Sequence, residues 1–239
     1  MIGTILNGTA ILVGGIAGLT VSKDLSLANQ SRLKIALGVF VVYAGLSSVW
    51  SGLNGTFSQV MKQIGIITLA FILGNLTGKL LRLQKSFNKL GQDARERFSR
   101  ARPADPNRVS EGFITCSLVF CVAPMAILGA LQDGLADDFK TLAIKSVMDG
   151  LATMAFARTF GWGVILSVIP VVSYQGTITL AAKAIHPLLR DHAIVDSVTT
   201  TGGLLVCCLA LIVLDLKKVR VADYLPTLVF APLLTWIWR

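Results

Sequence analysis

Residues 2–21 read IGTILNGTAILVGGIAGLTV, twenty residues without one charged side chain. A membrane-spanning helix needs about 20 mostly apolar residues, because a helix rises 1.5 Å per residue and the hydrocarbon core is about 30 Å thick. No Lys or Arg occurs before residue 23, so the stretch lacks the basic start of a cleavable secretion signal. It therefore predicts a first transmembrane helix.

Windows of the same kind recur along the 239 residues, of which 54% are hydrophobic and 15% charged. A soluble domain usually carries about 25% charged residues. The sequence therefore predicts an all-α, polytopic transmembrane helical bundle that forms a single domain over 1–239. We expect about eight spans, and seven spans plus a re-entrant segment is the rival interpretation. The predicted spans are 2–21, 34–52, 63–82, 112–131, 139–157, 162–182, 194–214 and the short 224–238.

The distribution of Lys and Arg predicts the orientation. With the N-terminus outside, sixteen of the 22 basic residues fall on the cytoplasmic side, which is the usual bias of membrane proteins. Both termini are then outside. The 83–110 segment is a basic cytoplasmic linker in which Phe87, Leu90, Ala94 and Phe98 recur at near-helical spacing. It is predicted to be a helix on the anionic leaflet or a plain solvated linker. Because most of the net charge of +9 lies in this loop beside the membrane, the charge indicates orientation and no nucleic-acid partner.

The strongest candidates for chemistry are Lys145 and Asp149, four residues apart in the fifth predicted span. That spacing places both side chains on one helix face. An ionisable residue at lipid depth is costly and usually faces the protein interior or an aqueous cavity. The pair therefore predicts a substrate, ion or proton site, and a structural ion pair that neutralises itself is the alternative.

Prolines and polar residues extend this candidate site. A proline inside a span frees a carbonyl group, and transporters aim such carbonyls at ions and substrates. The prolines inside predicted spans are Pro124, Pro170, Pro226 and Pro232. The further binding candidates are Asn7, Gln132, Asp133, Gln175 and the break at Pro124. Hydrogen bonding between helices is the alternative role of the carboxamides. Asp133, Asp137 and Asp138 are predicted to form an acidic outer mouth or an ordinary solvated loop.

Small residues predict close helix packing and suggest a repeat. Glycines four apart let helix backbones approach closely in lipid, within one chain or in a homo-oligomer. These pairs are Gly14 with Gly18, and Gly74 with Gly78. Similar small-residue runs occur in the second and seventh predicted spans, which point in opposite directions. With the echo between Asn7-Gly8 and Asp149-Gly150, they suggest an inverted repeat of the kind found in secondary transporters.

Longer motifs resemble one family of bacterial membrane proteins. They are Phe120-Cys121-Val122-Ala123-Pro124-Met125-Ala126-Ile127-Leu128-Gly129, Gln132-Asp133-Gly134, Lys145-Ser146 with Asp149-Gly150, and Tyr174-Gln175-Gly176. Over nearly its whole length the chain resembles the family catalogued as domain of unknown function 554. Ala123 stands where the family is expected to have glycine, and the proline break is kept. The resemblance implies a polytopic inner-membrane protein of bacteria and supplies no substrate.

The sequence predicts neither an enzyme nor a metal or cofactor site. It contains no GxSxG, HExxH or P-loop motif, and its four cysteines lie in apolar windows without ligand spacing. We expect a small secondary transporter or channel of a bacterial inner membrane that carries a small ion or metabolite. Asp149 would bind a cation or proton, and Lys145 would tune it or pair with an anionic substrate. The alternative is a non-transporting structural or regulatory membrane protein that acts through its basic loop.

Overall fold

The structure is a computed structural model that describes residues 1–20, 27–100, 108–186 and 192–238. These parts of the chain are helical and contain no strand, so the predicted all-α membrane bundle is confirmed. Two 3-10 segments, Gly161–Ser167 and Val221–Tyr224, precede the eighth and tenth helices. The helices are α1 (Ile2–Thr20), α2 (Leu27–Gly52), α3 (Phe57–Leu80), α4 (Leu83–Arg100), α5 (Arg108–Val122), α6 (Pro124–Leu135), α7 (Lys140–Phe160), α8 (Val168–Ile185), α9 (His192–Val213) and α10 (Thr227–Ile237).

Five helical stretches of the described chain are long and apolar enough to cross a membrane, and the bent pair of α5 and α6 adds a sixth. One of the five is the 46-residue stretch Lys140–Ile185. It folds back on itself, because Asn7 is hydrogen-bonded to both Asp149 and Gln175. These two residues lie 26 positions apart, which would be about 39 Å along a straight helix. Because Lys140–Ile185 folds back, it can supply two passes. With α10 the described helices can then supply eight passes, and that number stays a prediction.

Proline breaks one span as predicted and leaves another intact. The axes of α5 and α6 differ by 59°, with Ala123 in an extended conformation and Pro124 in the first turn of α6. Proline is tolerated in a first turn because the amide group it lacks has no partner inside the helix there. Pro170 lies in the first turn of α8. Pro170 interrupts no α-helix, because the change from 3-10 to α-helix inside the predicted span 162–182 falls two residues before it.

Glycines set the closest contacts between helices. A Cβ atom on Gly14 of α1 would collide with the carbonyl oxygen of Gly150 on α7. Gly45 of α2 and Gly203 of α9 meet reciprocally, and a Cβ atom on either would lie 2.9 or 2.7 Å from the other's carbonyl oxygen. The faces of both predicted glycine pairs are occupied by neighbours in the same chain. A homo-oligomer through those faces stays a prediction.

The first three helices pack antiparallel to the last three. α1 contacts α8, α2 contacts α9, and α3 contacts α10. An inverted repeat produces this arrangement, because a two-fold axis in the membrane plane reverses the direction of each helix. The echo between Asn7-Gly8 and Asp149-Gly150 does not belong to it. α1 and α7 run parallel, since their first residues meet and so do their last ones.

The bundle has two distinct ends, which we call the terminal end and the basic end. At the terminal end the Met1 amino group lies 3.0 Å from Asp133, Ser48 donates to Asp138, and Trp238 lies beside the connection from α2 to α3. Both termini thus share one end, as the sequence predicts, whereas the side of the membrane stays a prediction. Exposed cations of the basic end are Lys79, Arg82, Lys85, Lys89, Lys217, Lys218 and Arg220.

Tryptophan side chains mark both ends of the bundle. Trp50, Trp236 and Trp238 are exposed near the terminal end, and Trp162 is exposed at the turn between α7 and α8 near the basic end. Tryptophan favours the level of the lipid headgroups, because its ring is mostly apolar while its N–H group can bind water there. The two sets therefore agree with a bilayer lying between the ends.

The basic linker contains α4, an amphipathic helix attached to the bundle. Ala94 is buried, and α4 packs against α5. Gln84 fixes its start, since the Gln84 amide donates to Asp223 Oδ1 at 2.9 Å and the Ala222 amide donates to Gln84 Oε1 at 3.1 Å. The linker is therefore helical over α4, whereas contact of α4 with the anionic leaflet stays a prediction. Residues 101–107 and the Phe98 side chain lie outside the described part.

Replacing Gly14 by alanine should destabilise the bundle, although alanine is the better helix former. The added methyl group must push α7 away from α1, and such overpacking costs about 1–3 kcal/mol. Gly65→Ala is the matched control, because Gly65 lies inside α3 with no atom near its absent side chain. There alanine should be neutral or stabilise by up to ~1 kcal/mol. Thermal unfolding in detergent measures the change in stability of both variants. Equal changes in Gly14→Ala and Gly65→Ala would contradict the close packing at Gly14.

Candidate functional site

Four polar side chains of α7 form a stripe along one helix face. They are spaced four residues apart, and each is at most 7% exposed. They are Thr141, Lys145, Asp149 and Thr153. Residues at this spacing lie above one another on a helix, so the stripe must face the interior of the bundle. Only Lys145 and Asp149 of this stripe were predicted as site residues, and the repeated spacing of four residues was the signal for Thr141 and Thr153.

The ion pair of α7 is the centre of a network that draws in three more helices. Lys145 Nζ pairs with Asp149 Oδ2. Asn7 of α1 donates from Nδ2 to the same oxygen at 3.0 Å and to Gln175 Oε1 of α8 at 3.2 Å. Lys145 Nζ also lies 5.8 Å from the centre of the Phe120 ring on α5, within cation–π range. We call Asn7, Lys145, Asp149 and Gln175 the central network.

The central network is not saturated with hydrogen bonds. Within the described residues, Asn7 Oδ1 and Gln175 Nε2 have no partner, although both side chains are fully buried. The first atom is an acceptor and the second is a donor. A buried polar atom without a partner costs about 1–3 kcal/mol. An unused acceptor and an unused donor beside a charged pair are the features of a site that a ligand or water can complete.

A line of polar groups leads from the central network towards the terminal end. Thr4 lies about one turn from Asn7 on α1, and its hydroxyl is 3.5 Å from that of Thr179 on α8. Thr179 in turn donates to the carbonyl oxygen of Ala130 on α6 at 3.1 Å. Asp133 follows one turn later on α6. We call Thr4, Thr179 and Asp133 the polar track; all three side chains are buried.

Asp133 ends the polar track by capping α1. It accepts a hydrogen bond from the Gly3 amide at 3.2 Å and pairs with the Met1 amino group at 3.0 Å. A carboxylate at this position is favourable because the start of a helix carries partial positive charge. Asp133 is only 2% exposed, so its predicted place in an open acidic mouth is wrong. Asp138 likewise accepts a hydrogen bond, from the Ser48 hydroxyl at 2.9 Å.

Gln132 and Pro124 lie outside the central network. Thr141 donates to Gln132 Oε1 at 2.6 Å, whereas Gln132 Nε2 faces Gly202 of α9 and has no hydrogen-bond partner in the described chain. Pro124 follows Phe120 by four residues, and its part in ligand binding stays a prediction. Of the seven predicted site residues, the structure joins four directly. They are Asn7, Lys145, Asp149 and Gln175.

A family of known proteins matches this chain in sequence. The family model described as "Protein of unknown function (DUF554)" matches residues 2–236. The chain belongs to the DUF554 family. The resemblance stated from the motifs is thereby confirmed. The DUF554 match covers the first seven predicted spans and all of the eighth except residues 237–238.

Two curated relatives of this DUF554 chain are similar over almost their full lengths. It is 28% identical to the uncharacterized membrane protein YdfK of Bacillus subtilis (strain 168) over 237 residues, which is 99% of this chain and 96% of the relative. It is 30% identical to the uncharacterized protein YqgA of Escherichia coli (strain K12) over 241 residues, 100% and 97% of the two chains. No solved structure matches. The relatives and the apolar helices together identify a membrane protein of an uncharacterised family.

Lys145→Met should lower the free energy of unfolding by about 3–5 kcal/mol, because it leaves a buried carboxylate without its partner. The double variant Lys145→Met/Asp149→Leu should recover most of that loss, since an apolar pair needs no charge compensation. Lys183→Met, at an exposed position of α8, controls for loss of a lysine. Equilibrium unfolding in mixed detergent measures all three. A double variant less stable than Lys145→Met would contradict a self-neutralising pair.

Proposed function

We propose that the protein is a small secondary transporter or channel rather than an enzyme, and that its central network binds a cation or a proton in transit. The observation that carries the proposal is the buried Lys145–Asp149 pair with the two unused amide atoms beside it. A purely structural ion pair gains most when its surroundings satisfy every polar atom. Here an acceptor on Asn7 and a donor on Gln175 stay available instead.

Asp149 is the group that binds the transported ion in this proposal. Its carboxylate accepts from Lys145 and from Asn7, which positions one oxygen and holds it away from lipid. A cation or proton arriving at Asp149 competes with the Lys145 ammonium group. The Phe120 ring can then hold that ammonium group, because the face of an aromatic ring attracts cations. Lys145 thus acts as a built-in competitor that limits how tightly the ion binds.

The polar track provides the route between the central network and the terminal end. Hydroxyl groups such as those of Thr4 and Thr179 both donate and accept hydrogen bonds. They can therefore relay a proton or replace part of the water around a cation. With the basic end in the cytoplasm, as the excess of Lys and Arg favours, the track ends at Asp133 and the Met1 amino group, on the outer side of a bacterial inner membrane.

The alternative function, regulation through the basic loop, has its own structural support. α4 presents exposed Lys85 and Lys89 while its other side packs on the bundle. Such a helix suits contact with anionic lipid or a protein partner. The alternative predicts that Lys85→Gln/Lys89→Gln abolishes function and that Asp149→Asn is tolerated, which is the reverse of the transport proposal.

Thermal stability across a panel of ions and small metabolites should identify the ligand class. A ligand that binds only the folded state stabilises it by about 2.7 kcal/mol at a hundredfold excess over its dissociation constant. We expect one class of ligand to stabilise the wild type and Asp137→Asn, which changes an exposed loop residue. Asp149→Asn should lose that shift. An equal shift in Asp149→Asn would place the ligand elsewhere.

Ion flux into proteoliposomes tests transport itself. The liposomes contain a pH-sensitive dye and a potassium diffusion potential is imposed. The flux of protons, or of one added cation, should be larger with the wild type than in protein-free liposomes. Asp149→Asn should reduce this flux at least about tenfold, equivalent to ~1.4 kcal/mol of barrier. Thr179→Val should slow it, and Asp137→Asn should leave it unchanged. Wild-type flux in Asp149→Asn would refute the proposed site.

A further inference from the structure

A cleft of about 560 Å³ opens between α2, α7 and α9. It lies at a seam of the bundle, because α7 packs mainly along α1 while α2 packs mainly along α9. Its walls are apolar and include Leu37 of α2, Met148, Leu151 and Ala155 of α7, and Val213 of α9. The volume is in the range of ligand cavities, roughly 300–1,000 Å³.

The cleft has the depth of one lipid leaflet. Along α7 its lining runs from Met148 to Arg158, a separation of ten positions that covers about 15 Å at 1.5 Å per residue. This equals half of a hydrocarbon core of about 30 Å. Met148 adjoins Asp149 in the middle of α7, and Arg158 lies in the last turn of α7, near the basic end. The cleft therefore follows the path of an acyl chain from headgroup level to the bilayer centre.

Two cations line the cleft where it approaches the basic end. Lys34 lies one residue after Leu33, where the lining on α2 begins, and Arg158 ends the lining on α7. Lys34 pairs with Asp215, but this pair is exposed on both sides and contributes little. The ammonium group of Lys34 has three donors, so a second acceptor can bind it as well. The guanidinium group of Arg158 is planar, and its fork of N–H donors matches the oxygens of a phosphate.

We propose that this cleft binds one anionic phospholipid of the leaflet at the basic end, with an acyl chain in the cleft and the phosphate between Lys34 and Arg158. The apolar walls suit a hydrocarbon chain better than a soluble anion. The two cations at headgroup level select a negatively charged lipid over a neutral one. The site is separate from the central network, because Met148, Leu151 and Ala155 lie on a different face of α7 from the polar stripe.

Native mass spectrometry of the full chain tests the selectivity. The protein is released from detergent after incubation with equal amounts of phosphatidylglycerol and phosphatidylcholine that carry identical acyl chains. The wild type should retain phosphatidylglycerol in preference, by at least about tenfold for two cations. Lys34→Gln/Arg158→Gln should reduce the preference to near one. Lys79→Gln, an exposed cation of the basic end that does not line the cleft, should keep it.

Two outcomes would overturn the proposal. An unchanged preference in Lys34→Gln/Arg158→Gln would show that these cations do not bind the headgroup. An equal loss in Lys79→Gln would show that the whole basic end attracts anionic lipid without a defined site.

A second variant tests the acyl-chain position without changing charge. Ala155→Trp fills the cleft from an exposed position of α7, so the fold has no buried contact to lose there. It should abolish retention of both lipids, while gel filtration and helical circular dichroism stay those of the wild type. If Ala155→Trp retains phosphatidylglycerol as the wild type does, the lipid does not occupy this cleft and the proposal is wrong.

Discussion

The rest of the structure depends on the burial of one ion pair at lipid depth. The hydrocarbon core of a bilayer supplies no water, so the charges of Lys145 and Asp149 must be compensated inside the bundle. Asn7 supplies hydrogen bonds from α1, Gln175 receives one on α8, and the Phe120 ring of α5 faces the ammonium group. This requirement brings α1 against α7 and folds α8 back beside α1. The glycine contacts between α1 and α7 make that approach sterically feasible.

Much of the fold and the core of the site could be predicted because polar residues stand out inside apolar windows. Lys145 with Asp149, Asn7 and Gln175 were each identified in this way. The direct hydrogen bonds of Asn7 could not be predicted, since Asn7 is 142 residues from Asp149 and 168 residues from Gln175 in the sequence. Local periodicity carries no information about contacts over such separations. It reports which face of a helix is polar and leaves the partner helix open.

The remaining differences have equally local causes. Asp133 resembles a loop carboxylate in the sequence, yet it is buried because the amino group of Met1 and the start of α1 approach it. Thr4 and Thr179 were missed because threonine is common in membrane helices, where its hydroxyl usually bonds its own backbone one turn earlier. Pro170 does not interrupt α8, because α8 begins only two residues before it and a proline in a first turn removes no hydrogen bond within the helix. A boundary of that precision is beyond what hydropathy defines.

The length of α10 has a consequence for the lipid around the protein. With the 3-10 segment before it, α10 forms the apolar stretch Val221–Ile237, which extends about 26 Å, whereas its antiparallel neighbour α3 has 24 residues and extends about 36 Å. Apolar side chains of α10 such as Val229 and Leu233 are exposed on its outer surface. A bilayer that covers them must thin locally on that side, and this hydrophobic mismatch costs energy for every ångström of thickness. The energy of the protein in the membrane therefore depends on the acyl-chain length of the surrounding lipids. The protein should collect in thinner membranes or in thinner regions of one membrane.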